Sequence, residues 1–364
     1  MNTGTNKGPG NPTNTYRTGD VIWRKTTLGT PGSGWVEASV ITPSNINYNP
    51  LITALYGTTS GHYSWVTQTS QFGGGANIFS VAYGNNLWVA GGGSGTIRTS
   101  TDAVTWVTQT STFGTTGIIS VAYGNGIWVA GGSGGALRTS TDAVTWVTQT
   151  STFGTSFIDS VAYGNSLWVA GGAGGALRTS TDAVTWVTRT SQFGASAIRH
   201  FAYDNNLWVA VGDGGTLRTS TDAVTWVTQT SEFGTTNINS VAYGNGVWVA
   251  GGDVGAVRTS TDAVTWVTQT SRIIVGGINS VAYGNGVWVA GGSFGRLRTS
   301  TDAVTWVTQT SQFGATGINS VAYGNGIWVA VGNAVTLRTA NTDNTAYTIP
   351  NIPSPAGYTS WFKT

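Results

Sequence analysis

The sequence predicts an all-β protein: a seven-bladed β-propeller of four-stranded blades, closed by an outer strand from before the repeats and inserted in a small flanking domain. Three observations lead there. A forty-residue unit recurs in six complete copies from Val81 to Ser320, a period that suits propeller blades. A truncated seventh copy spans Val321 to Thr339, and the quarter it lacks, Trp65-Val-Thr-Gln-Thr-Ser70, precedes the first full copy. An array short of one strand at its end and long by one at its start closes into a circle. The composition agrees: 54 Gly, 17 Trp, many Val and Thr, and only 8% charged residues favour pleated sheet over helix.

In chain order, residues 1–18 are Asn, Thr, Gly and Pro with hardly an apolar side chain. They bury too little surface to offset the entropy of ordering, which predicts a flexible arm. Residues 19–62 change character, with the strand-like Val21-Ile-Trp23, a Pro-Gly-Ser-Gly turn before Trp35, and a short helical stretch around Pro50 to Tyr56. The propeller is expected over 63–340. Residues 341–364 leave the repeat, and Pro350, Pro353 and Pro355 interrupt any regular sheet interior.

One repeat shows its parts. Ile118 to Tyr123 alternates and ends at Gly-Asn-Gly, which supplies the positive φ of a hairpin turn. Ile127 to Ala130 follows, closed by a Gly-rich turn; then come Ala136 to Thr139, a turn on Ser140-Thr-Asp-Ala-Val-Thr, and Trp146 to Gln149. These are strands a to d of one blade. Strand a recurs at Ser80, Ser120, Ser160, His200, Ser240, Ser280 and Ser320, so the ring has seven blades. Two Trp per blade are expected to pack between blades. Arg98 and its equivalents on strand c are expected to stack or pair between blades rather than hold an anion.

Several functions are excluded or disfavoured. A net charge of +2, evenly spread, offers no track for nucleic acid. No run has the length of a membrane span, and the N-terminus lacks the apolar core of a signal peptide. There is no Cys, and no His, Asp and Glu grouping has metal-ligand spacing, so neither cofactor nor metal is expected. With two Glu and two His in the chain, the paired carboxylates of a glycosidase and a histidine-based triad are both poorly supplied, and no enzyme activity is expected.

The copies differ in a patterned way. TSTDAVTW is identical in six of them, whereas the b–c turn and the d–a loop vary. In an antiparallel blade those two connections share one face, and the a–b and c–d turns share the other. The chain enters the ring at strand d of blade seven and leaves it from strand c, so both junctions fall on the c–d face and the variable face is distal. A symmetric scaffold with one asymmetric face suits a binding surface. Its distinctive side chains are Phe157, Asp159, Arg199, His200, Asp213, Glu232, Asp253, Arg272, Phe294 and Arg296. Neutral drift in tolerant loops is the alternative, and for His200 a packing role is the alternative.

Two resemblances extend this reading. Gly19-Asp-Val-Ile22, Pro31-Gly-Ser-Gly-Trp35, Tyr48-Asn-Pro-Leu51, Leu55-Tyr-Gly57, Ile349-Pro-Asn-Ile352 and Trp361-Phe-Lys-Thr364 together resemble the tail-collar type of domain in phage tail fibre proteins, here split around the ring. Val36 to Ser39 departs from that pattern. The turn Ser100-Thr-Asp102-Ala-Val-Thr-Trp106 and its copies resemble the Asp-box of sialidase-like propellers, one residue shorter and with Ala-Val where Gly is usual. That resemblance implies a structural role for Asp102, Asp142, Asp182, Asp222, Asp262 and Asp302, each accepting backbone hydrogen bonds within its hairpin. The collar resemblance implies a virion protein, attached to other tail proteins through its arm and base, trimeric, with the propeller facing a host receptor or glycan. A virion spacer without a ligand, and a non-viral propeller acting as assembly factor or lectin, are the alternatives.

Overall fold

A computed structural model describes residues 63–73, 76–269 and 276–341, and the backbone of the strands Val21–Lys25, Trp35–Glu37 and Tyr358–Lys363. The chain divides into two compact units, Met1–Ser60 with Thr345–Thr364, and Gly61–Asn344. In the first, Tyr358–Lys363 lies between Val21–Lys25 and Trp35–Glu37, antiparallel to both, so segments from the two ends of the sequence form one sheet. The expected arm, the helical stretch around Pro50 and the prolines of the tail lie outside the described residues.

The second unit is a ring of seven four-stranded antiparallel sheets. In blade two the strands are a, Ile118–Gly124; b, Ile127–Gly132; c, Leu137–Ser140; and d, Val147–Gln149. Strands a and b join through a two-residue turn, Asn125 and Gly126, with φ of 49° and 77°, which asparagine and glycine adopt at least cost. Strand d is short and mostly exposed, which blunts the outer edge.

The ring closes as the truncated repeat requires. Val66–Thr67 forms the outer strand of blade seven, pairing Val66 with Thr339 and Thr67 with Arg338 of Leu337–Asn341. Seven hydrophobic clusters sit between neighbouring blades, the last joining Val329, Val331 and Leu337 of blade seven to Phe72, Ile78, Val81 and Trp88 of blade one. Each strand b contributes a Trp no more than 1% exposed, such as Trp128. The Trp opening each strand d is buried as well. Both sets therefore serve as packing.

Register fixes which loops share an end of the ring. Tyr123 pairs with Trp128, and Trp128 with Ser140, so the a–b and c–d turns lie at one end. Ile118 pairs with Gly132, and Leu137 with Gln149, so the b–c and d–a connections lie at the other. Asn341 and Val66, where the chain leaves and enters the ring, belong to the c–d end. Among the described residues no helix is long and apolar enough to cross a membrane.

Candidate functional site

The seven a strands line a central cavity of about 1020 Å³. Each begins with a register shift: Ile158 pairs with Gly172 and Ser160 with Gly171, leaving Asp159 unpaired between them. A bulge of this kind re-aims one side chain. It places Phe79, Ile119, Asp159, Arg199, Asn239, Asn279 and Asn319 around the cavity at the end of the b–c and d–a connections.

The residue after the bulge stitches the blades together. Ser120 Oγ accepts from the backbone N–H of Val161 in the next blade at 3.0 Å, and Ser80, Ser160, Ser240, Ser280 and Ser320 act likewise at 3.1 to 3.3 Å. In blade four this residue is His200. Its Nδ1 accepts from Val241 N–H at 3.4 Å, keeping the bond that serine makes elsewhere. Burial holds the His200 pKa down, to about 4, so the ring is neutral at physiological pH.

The bulged residues divide the mouth into sectors. Phe79 and Ile119 make an apolar wall in blades one and two. Asn239, Asn279 and Asn319 each donate to a carbonyl of the following blade, that of Ile278, Ile318 and Ile78, at 2.8 to 3.0 Å. Between these sectors stand the charges. Arg199 Nε donates to Asp213 Oδ1 in the b–c turn of its own blade, with both side chains about two-fifths exposed, at 41% and 35%. Asp159, half-buried, accepts no hydrogen bond from the described residues. Burial pushes its carboxyl above the ordinary range, Arg199 pulls it back, and Asp213 adds to the rise. Asp253 accepts from Asn237 Nδ2 at 3.0 Å and Asn239 Nδ2 at 2.9 Å.

Of the ten residues predicted for the distal face, the structure thus brings Asp159, Arg199, His200, Asp213 and Asp253 together in blades three to five. It leaves four others apart. Phe157 is exposed in a d–a loop and Phe294 at the tip of a b–c turn. Arg296 is exposed just after that turn. Glu232 offers its backbone carbonyl to Arg258. Arg272 lies outside the described residues. Phe79, Ile119 and the three Asn were missed by attention to loops. Their signal was the residue before the strand-a serine, which varies as Phe, Ile, Asp, Arg, Asn, Asn, Asn around the ring.

The remaining repeated groups are structural. Asp142 Oδ1 accepts from Thr145 N–H at 2.7 Å, Val144 N–H at 2.8 Å and Ser140 Oγ at 2.8 Å. These bonds, that to Thr145 first, hold its carboxyl down to about 2. The other five turns share the three bonds, as at Asp102 and Asp302. Arg138 stacks over Phe113, 4.7 Å from the ring centre, and donates to Thr112 O at 3.0 Å. Arg98, Arg178, Arg218, Arg258 and Arg338 stack in the same way on their own loop phenylalanines. These guanidiniums fasten d–a loops and form no anion site. Among the described residues no three His, Asp or Glu side chains group closely enough to hold a metal ion.

Solved structures share this architecture at low identity. YCF48 from Cyanidioschyzon merolae matches with a TM-score of 0.62 at 14% identity, over 77% of this chain and 99% of that one. YCF48 bound to D1 peptide matches with a TM-score of 0.63 at 15% identity, over 77% and 95%. The WD40 β-propeller domain of Doa1 matches at 0.60 and 13% identity, over 77% and 98%. The shared feature is the propeller fold. No family model matches the chain, and no curated protein does.

Proposed function

We propose that this chain is a binding protein of the phage tail-fibre kind, in which the propeller displays a receptor-binding mouth and the flanking unit serves attachment to the particle. One observation carries the binding part: four charged departures from sevenfold symmetry, Asp159, Arg199, Asp213 and Asp253, stand together in one sector of one mouth, at the end of the ring opposite to where the chain enters and leaves, while Arg189, Asp204, Glu232 and Arg296 stand elsewhere. Drift in tolerant loops scatters changes around the ring and over both ends; a site concentrates them. The phage setting is supported by the collar-like motifs of the flanks and by the pairing of Val21–Lys25 with Tyr358–Lys363, which joins them in one sheet. The repeated Asp turns agree with an Asp-box propeller, and the uses already found for their carboxylates speak for scaffold rather than catalysis.

The test is binding of the labelled full chain to a panel of bacterial cells, beside a variant in which residues 153–159 and 193–200 are replaced by residues 113–119 and 113–120. Binding by the native chain that the exchange abolishes supports the reading. Binding that survives the exchange removes the distal mouth from it, and absence of binding to any cell leaves the spacer reading. Immunogold labelling of virions tests the setting.

A further inference from the structure

The sevenfold serine ring makes His200 interpretable. In six blades the serine hydroxyl accepts the neighbouring blade's N–H. His200 performs the same task with Nδ1. A neutral imidazole that accepts at Nδ1 carries its proton on Nε2. The fold therefore fixes the tautomer and leaves an Nε2–H donor, without a partner among the described residues, on a side chain that lines the cavity.

Its neighbours complete a donor and acceptor set. Arg199 spends Nε on Asp213, and its terminal nitrogens have no acceptor among the described residues. Asp159, from the adjacent blade, offers a carboxylate that accepts nothing from the described residues. Two donors thus stand beside one acceptor. An anion is disfavoured, since Asp159, Asp213 and Asp253 surround the single arginine. A simple cation is disfavoured by Arg199 and by the donor proton of His200. A neutral ligand whose groups both donate and accept answers all three. Phe79 and Ile119 supply an apolar wall across the same mouth, and a cavity of about 1020 Å³ has the size of a small-molecule pocket.

We propose that the distal mouth binds a neutral, polyhydroxylated ligand, a saccharide, whose hydroxyls accept from His200 Nε2–H and Arg199 and donate to Asp159 while its C–H face lies toward Phe79 and Ile119. This rests on the binding reading above and names its ligand class. The repeat itself provides the variants: His200→Ser and Arg199→Asn install the residues found at these positions in other blades, so the inter-blade bonds persist and the fold is kept.

The experiment is saturation-transfer NMR and calorimetric titration of the full chain with neutral methyl glycosides, and with L-amino acids as zwitterionic probes. At least one glycoside is expected to bind. Each substitution is expected to weaken it about tenfold, the effect of one lost hydrogen bond, with the melting temperature unchanged. The inference is overturned if no glycoside binds, if His200→Ser binds as tightly as the native chain, or if only amino acids bind at this mouth. Cell binding that is indifferent to both substitutions would sink the ligand assignment and leave the adhesion reading standing. Loss of cell binding by the native chain itself would sink the adhesion reading.

Discussion

Gln68 Nε2 donates to Thr339 Oγ1 at 2.8 Å, across 271 positions of sequence. In blade one the same bond, Gln109 to Thr99 at 2.8 Å, spans ten. Ring closure thus reuses a local contact as a long-range one. Thr339→Ala and Thr99→Ala should each cost about 1 kcal/mol, measured by urea denaturation. Removing residues 1–69 strips the outer strand from blade seven and should lower the melting temperature by well over 10 °C. A truncated chain as stable as the full one would show that closure does not depend on this strand.

The missing seventh turn leaves a mark on Trp65. Trp146 Nε1–H donates to Ala143 O at 3.0 Å, and the Trp opening strand d in each other complete blade does likewise, at 3.0 to 3.1 Å. Blade seven has no such turn, and Trp65 Nε1 is buried without an acceptor among the described residues. Trp146→Phe forfeits a bond and strands a carbonyl, whereas Trp65→Phe removes an unpaired donor. The former should cost about 1 kcal/mol more than the latter. Equal costs in chemical denaturation would refute this account.

Acid should loosen the ring through its Asp turns. Asp102, Asp142, Asp182, Asp262 and Asp302 are lowered from 3.8 to about 2, and Asp222 is lowered too. A depressed folded pKa means that the unfolded chain binds more protons between those values. The stabilisation is therefore complete above about pH 4 and is lost as pH falls toward 2. In a His200→Ser background, which removes the decline that the lowered His200 pKa brings between about pH 6.5 and 4, thermal midpoints should hold from pH 7 to 4 and drop between 4 and 2. Asp142→Asn combined with Asp182→Asn should flatten that drop. A midpoint that stays constant down to pH 2 would contradict the assignment.

Backbone strain gives predictions of both signs. Phe294, 60% exposed, holds φ of 57° at the tip of a b–c turn where Gly134, Gly174 and Gly214 stand in other blades. Phe294→Gly should stabilise by about 0.5 kcal/mol, relief of the left-handed penalty outweighing the added freedom of the unfolded chain. Gly135, at φ of 67°, faces Gly154 O, which an added Cβ would approach to 2.3 Å. Gly135→Ala should cost about 2 to 4 kcal/mol. Calorimetry on both variants checks the pair.

Much of the site was legible for a definite reason. Comparing seven copies of one repeat exposed Asp159, Arg199, His200, Asp213 and Asp253 as departures from a shared pattern. The same comparison gave Phe157, Glu232, Phe294 and Arg296 equal weight. Sequence variation does not say whether a side chain faces the cavity, a neighbouring loop or solvent.

By itself the sequence determined the strand pattern, the number of blades and the means of closure, because these follow from a repeated local pattern and its missing quarter. Only the tertiary structure decided that the residue at each bulge turns into the central cavity, that serine at the next position joins one blade to another, and that His200 takes over this bond while keeping a donor to spare. Those relations depend on the register between strands about forty residues apart, and a register is settled by packing around the whole ring.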